Sequence, residues 1–243
     1  MSFSALAIDA DILLYRSTSA AEKEVDWGDD VWSLWSDLKD AKAAFREQVE
    51  RISQKLGVNN IICALSDSKA NYRKNIDPSY KSNRRGTRKP VGYAAMKQWV
   101  ITEYATIQKP GLEGDDCLGI LATRPGNDCI MVSDDKDLKT VPGRLYRPQA
   151  DEMLTITEDE ANRFFLTQVL TGDPTDGYKG VPGIGPKKAE AILGSRPHWG
   201  AVEKAFITAG LTKADALTQA RLARILRWSD WDAEKGEPIP WKP

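Results

Sequence analysis

Residues 128–140 read DCIMVSDDKDLKT, a short apolar, β-rich run that stops in a string of acids. Working outward, FSALAIDA at 3–10 and NIICALSD at 60–67 have the same form, and ATIQKP at 105–110 is again short and β-rich. Helical stretches lie between them: KDAKAAFREQVERISQKLG at 39–57, then 93–104 and 115–123. Strands alternating with helices predict right-handed crossovers and a mostly parallel sheet covered on both faces, an α/β fold. Ligands of such sheets bind beyond the carboxyl ends of the strands, where the connecting loops gather. Asp9, Asp67, Asp135 and Asp137 all fall there. One such Asp alone reads as a helix cap or a turn residue. Four from three strands at one edge read as a constellation.

GLEGDDCLG at 111–119 adds Glu113, Asp115 and Asp116, and the turn after residue 171 adds Asp173 and Asp176. A helix N-terminus welcomes one or two carboxylates. Three acids within four residues exceed what a cap needs, so a shared cation is the better account. With one His, and three Cys in no CxxC spacing, the chain does not suit zinc. Hard divalent cations take oxygen ligands and keep part of their water, so the expected occupants are two magnesium ions, replaceable by manganese, over a substrate phosphate. That chemistry is phosphodiester cleavage. Cys63, Cys117 and Cys129 lie in apolar segments and read as buried reduced thiols.

At 243 residues the chain suits a main domain with a smaller C-terminal lobe. The expected division is a sheet domain over residues 1–157, carrying a basic segment at 68–92, and a helical lobe over 158–243. No apolar run approaches the roughly 18 residues that cross a bilayer, and MSFSALAIDADILLYR reads as a strand rather than a leader, so the expected location is cytoplasmic. A monomer is the default.

The formal net charge of −1 conceals segregation. Between Ser68 and Lys89 stand Lys69, Arg73, Lys74, Lys81, Arg84, Arg85, Arg88 and Lys89, with Asp77 the one acid. This long, poorly periodic stretch reads either as a solvated excursion or as a lid over the acidic edge. Tyr72 and Tyr80, interleaved with Arg73 and Arg85, favour the lid, because aromatics among bases suit stacking on unpaired nucleotides and contact with phosphates.

TEDEANRFFLTQVLTG at 157–172 reads as an amphipathic helix capped by Thr157, with Phe164, Phe165, Val169 and Leu170 inward. GVPGIGPKKA at 180–189 follows. Its glycines and prolines make a tight turn opening a helix, where backbone amides near Gly183 and Gly185 approach a phosphate unobstructed. A helix-hairpin-helix over residues 173–195 is the expected result. Lys187 and Lys188 add charge without base readout, so binding of double-stranded DNA there should follow salt and ignore sequence. Farther on, Trp228, Trp231 and Trp241 read as anchors of the terminus, and His198 as a surface or cap residue.

IDADILLYR, ALSDSKANYRKNIDPSYKSNR, GLEGDDCLG, VSDDKDLKT and LTGDPTDGYKGVPGIGPKKA, in this order, resemble the flap endonuclease and 5′ to 3′ exonuclease superfamily. SAAEKEVDW, RKPVGY, DPTDGY, ARILR and the final WKP resemble, within it, the 5′ exonucleases of short-tailed coliphages. The resemblance implies a PIN-like, Rossmann-like sheet. It implies a first metal on Asp9, Asp67, Glu113 and Asp115 and a second on Asp135, Asp137 and Asp176, with Asp116 and Asp173 supporting through water. Lys81 and Arg84 would steady the scissile phosphate at the base of a helical arch, and a potassium ion would sit on the backbone carbonyls of Val181 and Ile184. The implied substrates are DNA with 5′ ends or flaps, and RNA–DNA hybrids, and the implied products carry 5′-phosphates. Phage replication, RNA primer removal, recombination or host DNA degradation, in the cytoplasm of an infected bacterium, are the implied settings. Ala10 stands where the family commonly has Gly, and DGYKG where it commonly has DNIPG. Asp11 and Asp134 are extra acids whose role is open between surface charge and support behind the ligands. Two rival readings also stay open: a DNA junction-binding protein without catalysis, and a ribonuclease of the related fold.

Overall fold

The computed structural model describes residues 5–84 and 86–243. The elements run β1 (Ala5–Asp9), α1 (Ala10–Ala21), β2 (Glu22–Asp26), β3 (Trp32–Ser36), α2 (Leu38–Leu56), β4 (Ile61–Ala64), α3 (Arg73–Ile76), α4 (Tyr93–Glu103), β5 (Ala105–Ile107), α5 (Gly114–Ala122), β6 (Cys129–Val132), β7 (Gly143–Arg147), β8 (Glu152–Ile156), α6 (Glu158–Thr171), α7 (Pro186–Leu193), α8 (Trp199–Thr208), α9 (Lys213–Ala223), β9 (Trp231–Asp232) and β10 (Glu237–Pro238). Six strands form the main sheet in the order β5-β4-β1-β6-β7-β8. All neighbours are parallel except β7 and β8. From β1 the chain builds outward to β4 and β5, then returns to the other side of β1 for β6. The strand order therefore reverses between β1 and β6, where a crevice opens at the carboxyl ends.

Buried strands are apolar on both faces because side chains alternate. In β1, Leu6 and Ile8 enter one core with Leu14 of α1, Phe45 of α2 and Met96 of α4. Ala5 and Ala7 face a second core with Cys117 and Leu118 of α5. Asp9 ends the strand and caps α1, its Oδ1 accepting from Ile12 N at 3.3 Å, so one carboxylate is fixed at the crevice by backbone geometry. The helical lobe has its own core of Phe165, Val169, Leu170, Val202 and Phe206, with Tyr80 inserted from the basic segment. Phe164 is only half-buried. Thr157 caps α6 in a reciprocal box with Glu160, and His198 Nδ1 accepts from Ala201 N at the start of α8.

The expected division needs correction at the tail, and one hairpin lies outside the expectations. The stretch 224–243 does not belong wholly to the helical lobe: Ile225, Leu226 and Trp231 pack into the core beneath the sheet with Leu118 and Met131, because α9 ends at Ala223 and its apolar continuation finds that face uncovered. The β2–β3 hairpin had no sequence-level forecast. It pairs only with itself and leaves Trp27, Trp32 and Trp35 exposed, so it lacks the buried face that makes a strand readable.

Candidate active site

Beyond the carboxyl ends of β1 and β6 lies a cavity of about 180 Å³ walled by Asp9, Asp11, Glu113, Asp115, Asp135, Asp137 and Asp176, with Arg73, Tyr80, Lys81, Arg84 and Tyr178. Each acid arrives by a different local rule. Asp9 caps α1. Glu113 is the N-cap of α5, with Asp115 in that helix's first turn. Asp135 caps the 3₁₀ turn Lys136–Thr140, accepting from Asp137 N at 2.8 Å. Asp176 comes from the α6–α7 connection, whose turn is closed by the backbone pairing of Asp173 with Tyr178.

These carboxylates crowd. Burial, then Asp11, pushes Asp9 up to about 7, and burial, then Asp135, does the same to Asp137. Asp115 is raised well above the ordinary range, first by burial and then by Asp9. Glu113 goes the other way: burial favours its neutral form, but Lys81 and Arg73 outweigh it and hold the carboxyl at about 2. A cavity whose acids resist ionising beside one another is one that a cation relieves. Among the described residues no group of three acids closes into a ready-made cage for one ion. The acids ring the space, an arrangement that suits a hard cation sharing its ligands with water and phosphate.

Three expected ligands stand outside the cavity wall. Asp67 is taken up by two loops, accepting from Lys69 N of its own at 2.9 Å and from Gly111 N of the loop after β5 at 2.8 Å. Asp173 accepts from Thr175 N and pairs with Lys136 at 3.2 Å. Asp116 is fully buried and forked onto Arg73 at 2.7 Å on both oxygens, so no water reaches it for a metal.

The basic segment also departs from the lid expected of it. Its first half is packed structure. Arg73 is buried, its guanidinium 4.7 Å from the centre of the Tyr72 ring and 5.7 Å from that of Tyr80. Tyr80 is buried as well, its hydroxyl 2.9 Å from Glu113 and 3.0 Å from Asp176. The expected nucleotide and phosphate contacts of Arg73 and Tyr80 are therefore corrected, their partners being one another and the acids, while Tyr72 is half-buried against Arg73. Arg85 lies outside the described residues. Lys81 and Arg84 do face the cavity, Lys81 Nζ lying 2.5 Å from Glu113 and 3.4 Å from Asp176, and Arg84 2.8 Å from Asp176. Arg88 instead forks onto Glu22 of the β2–β3 hairpin.

The α6–α7 turn brings two backbones into contact. Gly172 and Gly180 both have positive φ, and a Cβ on Gly180 would lie 2.3 Å from Gly172 N. Beyond them Gly183, Gly185, Lys187 and Lys188 are exposed. Nothing lies within 4 Å of a Cβ built on Gly183 or Gly185, and Lys188 Nζ donates to the Gly183 carbonyl at 2.9 Å. Val181 is buried with its carbonyl accepting from Ile184 N.

With this arrangement in place, comparison with known proteins is decisive. A family model described as 5′-3′ exonuclease, N-terminal resolvase-like domain matches residues 4–163. The chain belongs to the 5′-3′ exonuclease family. An exodeoxyribonuclease of Enterobacteria phage T3 is 30% identical over 98% of this chain and 92% of its own length, and an exonuclease of Escherichia phage T7 is 30% identical over 98% and 93%. Among solved structures, bacteriophage T5 flap endonuclease in a complex with DNA and metal ions superposes with a TM-score of 0.65 at 14% identity, covering 91% of this chain and 89% of that one. The catalytic core of Rad2 with DNA substrate superposes at 0.53 and 13%, covering 86% and 66%. These two likenesses establish a shared fold.

The exonuclease site includes residues that sequence reasoning passed over. Ser133 donates to Asp9 at 2.9 Å and accepts from Asp135 N at 3.1 Å, tying the two strand ends together. Gln168 of α6 donates to Asp137 at 2.6 Å. Asp11, the extra acid whose role the sequence left open, accepts from Ser66 N and from the Tyr93 hydroxyl. Ser133 was findable, since it opens the acidic string. Gln168 was not, because its partner is 31 residues away.

Proposed function

We propose that this exonuclease hydrolyses DNA from or near a 5′ end, with divalent cations, magnesium or manganese, held by Asp9, Glu113 and Asp115 on one side of the cavity and Asp135, Asp137 and Asp176 on the other. The observation that carries the reading is the cavity itself: carboxylates held toward their neutral form by burial and by one another, at the point where the strand order reverses, faced by Lys81 and Arg84. The donor set fits the ions, being all oxygen and open to water. When bound, such ions supply an activated water and neutralise charge on the leaving oxygen. The protein's own residues do the rest. Ser133 and Gln168 fix the carboxylates of Asp9 and Asp137, and Lys81 and Arg84 present positive charge to a phosphate entering the cavity. The exposed amides and lysines at the start of α7 hold the duplex by its backbone, without reading sequence.

Relatives support each part in their own terms. The T3 and T7 proteins are named as exonucleases, T5 5′-exonuclease has been described with bound divalent zinc, and the T5 and Rad2 structures contain DNA. The proposed reading extends to flapped and hybrid substrates, to a potassium ion at the carbonyls of Val181 and Ile184, and to a monomer acting in the cytoplasm of a phage-infected host. A 5′-labelled duplex, with and without a flap, incubated with magnesium, tests it. Short 5′-phosphorylated products are expected from the wild type and none from the double variant Asp135→Asn with Asp137→Asn. Undiminished cleavage by that variant at saturating magnesium contradicts the reading, and DNA binding without any cleavage by the wild type would leave only a junction-binding role.

A further inference from the structure

Arg73 is the one basic residue of the segment 68–92 that is nine-tenths buried among the described residues, and it borders the cavity from behind the acids. An arginine carries five N–H donors in a rigid fork. Here every one is engaged. Nε donates to the Leu222 carbonyl at 3.0 Å. Nη1 donates to Glu113 Oε2 at 3.0 Å and Asp116 Oδ2 at 2.7 Å. Nη2 donates to Asp116 Oδ1 at 2.7 Å and the Arg224 carbonyl at 2.6 Å. Asp116 completes the lattice by accepting from Glu113 N and Leu226 N, both at 3.1 Å.

Three parts of the chain thus meet on one guanidinium: the basic segment that carries it, the first turn of α5, and the carbonyl end of α9. Of the two carboxylates on this guanidinium, Glu113 lines the cavity and Asp116 does not. Asp116 is doubly forked and cannot move, so the Arg73 donor at 3.0 Å fixes where Glu113 Oε2 lies, and Tyr80 steadies the same oxygen at 2.9 Å.

We infer that the buried Arg73–Asp116 pair is a positioning unit for Glu113, acting on the reaction through that carboxylate and through no contact with DNA. The inference rests on the reading of Glu113 as a ligand of a divalent cation. Lysine in place of Arg73 keeps the charge and loses the fork, so Glu113 gains freedom while the segment stays cationic.

The test uses the full chain and manganese alone, titrated without DNA and followed by the electron paramagnetic signal of the free ion. Arg73→Lys and Asp116→Asn are expected to bind manganese about 10- to 100-fold more weakly, as loss of a partner that orients a ligand does. Their kcat on a 5′-labelled duplex should fall by a similar factor, with KM for DNA within about twofold of wild type. A raised KM with unchanged kcat and manganese binding would mean that Arg73 meets DNA after all, and would overturn the inference. So would wild-type manganese binding in a folded Arg73→Lys protein. Loss of the fold in both variants, seen by circular dichroism, also overturns it by making the pair purely structural. Glu113→Ala separates the levels: if it binds manganese normally, the metal reading itself fails; if it loses binding while Arg73→Lys keeps it, only the positioning role fails.

Discussion

Lys81 has an unusual backbone for its role. Its φ is +53°, a conformation that non-glycine residues adopt rarely, and it is held there while its N–H donates to the Asp176 carbonyl at 2.8 Å. Its ammonium group is thereby delivered between Glu113 and Asp176. A preorganised cation at the site of developing charge contributes far more than one that must swing into place, so Lys81→Ala should lower kcat about 10²- to 10³-fold in single-turnover cleavage. Arg84 is half-exposed and reaches only Asp176, so Arg84→Ala should cost less, on the order of tenfold. At this scale the sequence was legible wherever a residue's position follows from a strand end, as with Asp9, Asp135 and Asp137, which all line the cavity. It misled wherever role depends on which way a side chain turns. Tyr72, Arg73 and Tyr80 have the composition of a nucleic-acid grip, yet the guanidinium near both rings answers a buried carboxylate, a partner 43 residues away. Asp67 shares the strand-end position, but two backbone amides of neighbouring loops capture it first.

The turn between α6 and α7 depends on two glycines pressed back to back. A methyl group on Gly180 would meet the Gly172 backbone at 2.3 Å, in a φ region costly to any L side chain. Gly180→Ala should therefore destabilise the protein by at least about 2 kcal/mol, measured by urea unfolding. Lys187 lies in the first turn of α7, exposed and ready for a phosphate. Lys187→Ala should weaken duplex binding equally across sequences and reduce the slope of log affinity against log salt by about 1, as measured by fluorescence anisotropy over a salt series. These elements were readable because glycine and proline spacing encodes backbone geometry locally. The β2–β3 hairpin was not, since its strands bury no face and their apolar residues point to solvent. The path of the tail after α9 was equally hidden: Ile225 and Leu226 continue a helical pattern in sequence, while in space they fill the core beneath α5. There Gly119 makes room for them, a Cβ on it lying 2.3 Å from the Leu226 carbonyl.

Across the whole molecule, near-zero net charge hides a cavity crowded with carboxylates, and this gives stability a pH signature. Asp9 and Asp137, ordinarily near 3.8, are raised to about 7 by burial and by their acidic neighbours. A carboxyl raised by folding stabilises the fold only while protonated. That contribution is full below about pH 4 and is lost as pH rises through 7. Glu113 opposes it, its contribution present above its ordinary 4.5 and lost as pH falls through 2. In chelator, calorimetry should find these two aspartates eroding Tm between pH 4 and 7. Added magnesium should raise Tm more at pH 8 than at pH 5, because it binds ionised carboxylates in the folded state. The α/β class and the acidic edge were legible because alternating strands and helices force loops to gather at one end. Asp176, expected in the acidic set, reaches the ring from the helical lobe, whereas Asp67 and Asp173, expected beside it, stand outside the cavity wall. Anomalous diffraction from a crystal soaked in manganese tests the central claim most directly. Two peaks inside the ring of Asp9, Glu113, Asp115, Asp135, Asp137 and Asp176 are predicted, and a cavity without manganese, or manganese bound only elsewhere on the protein, would contradict it.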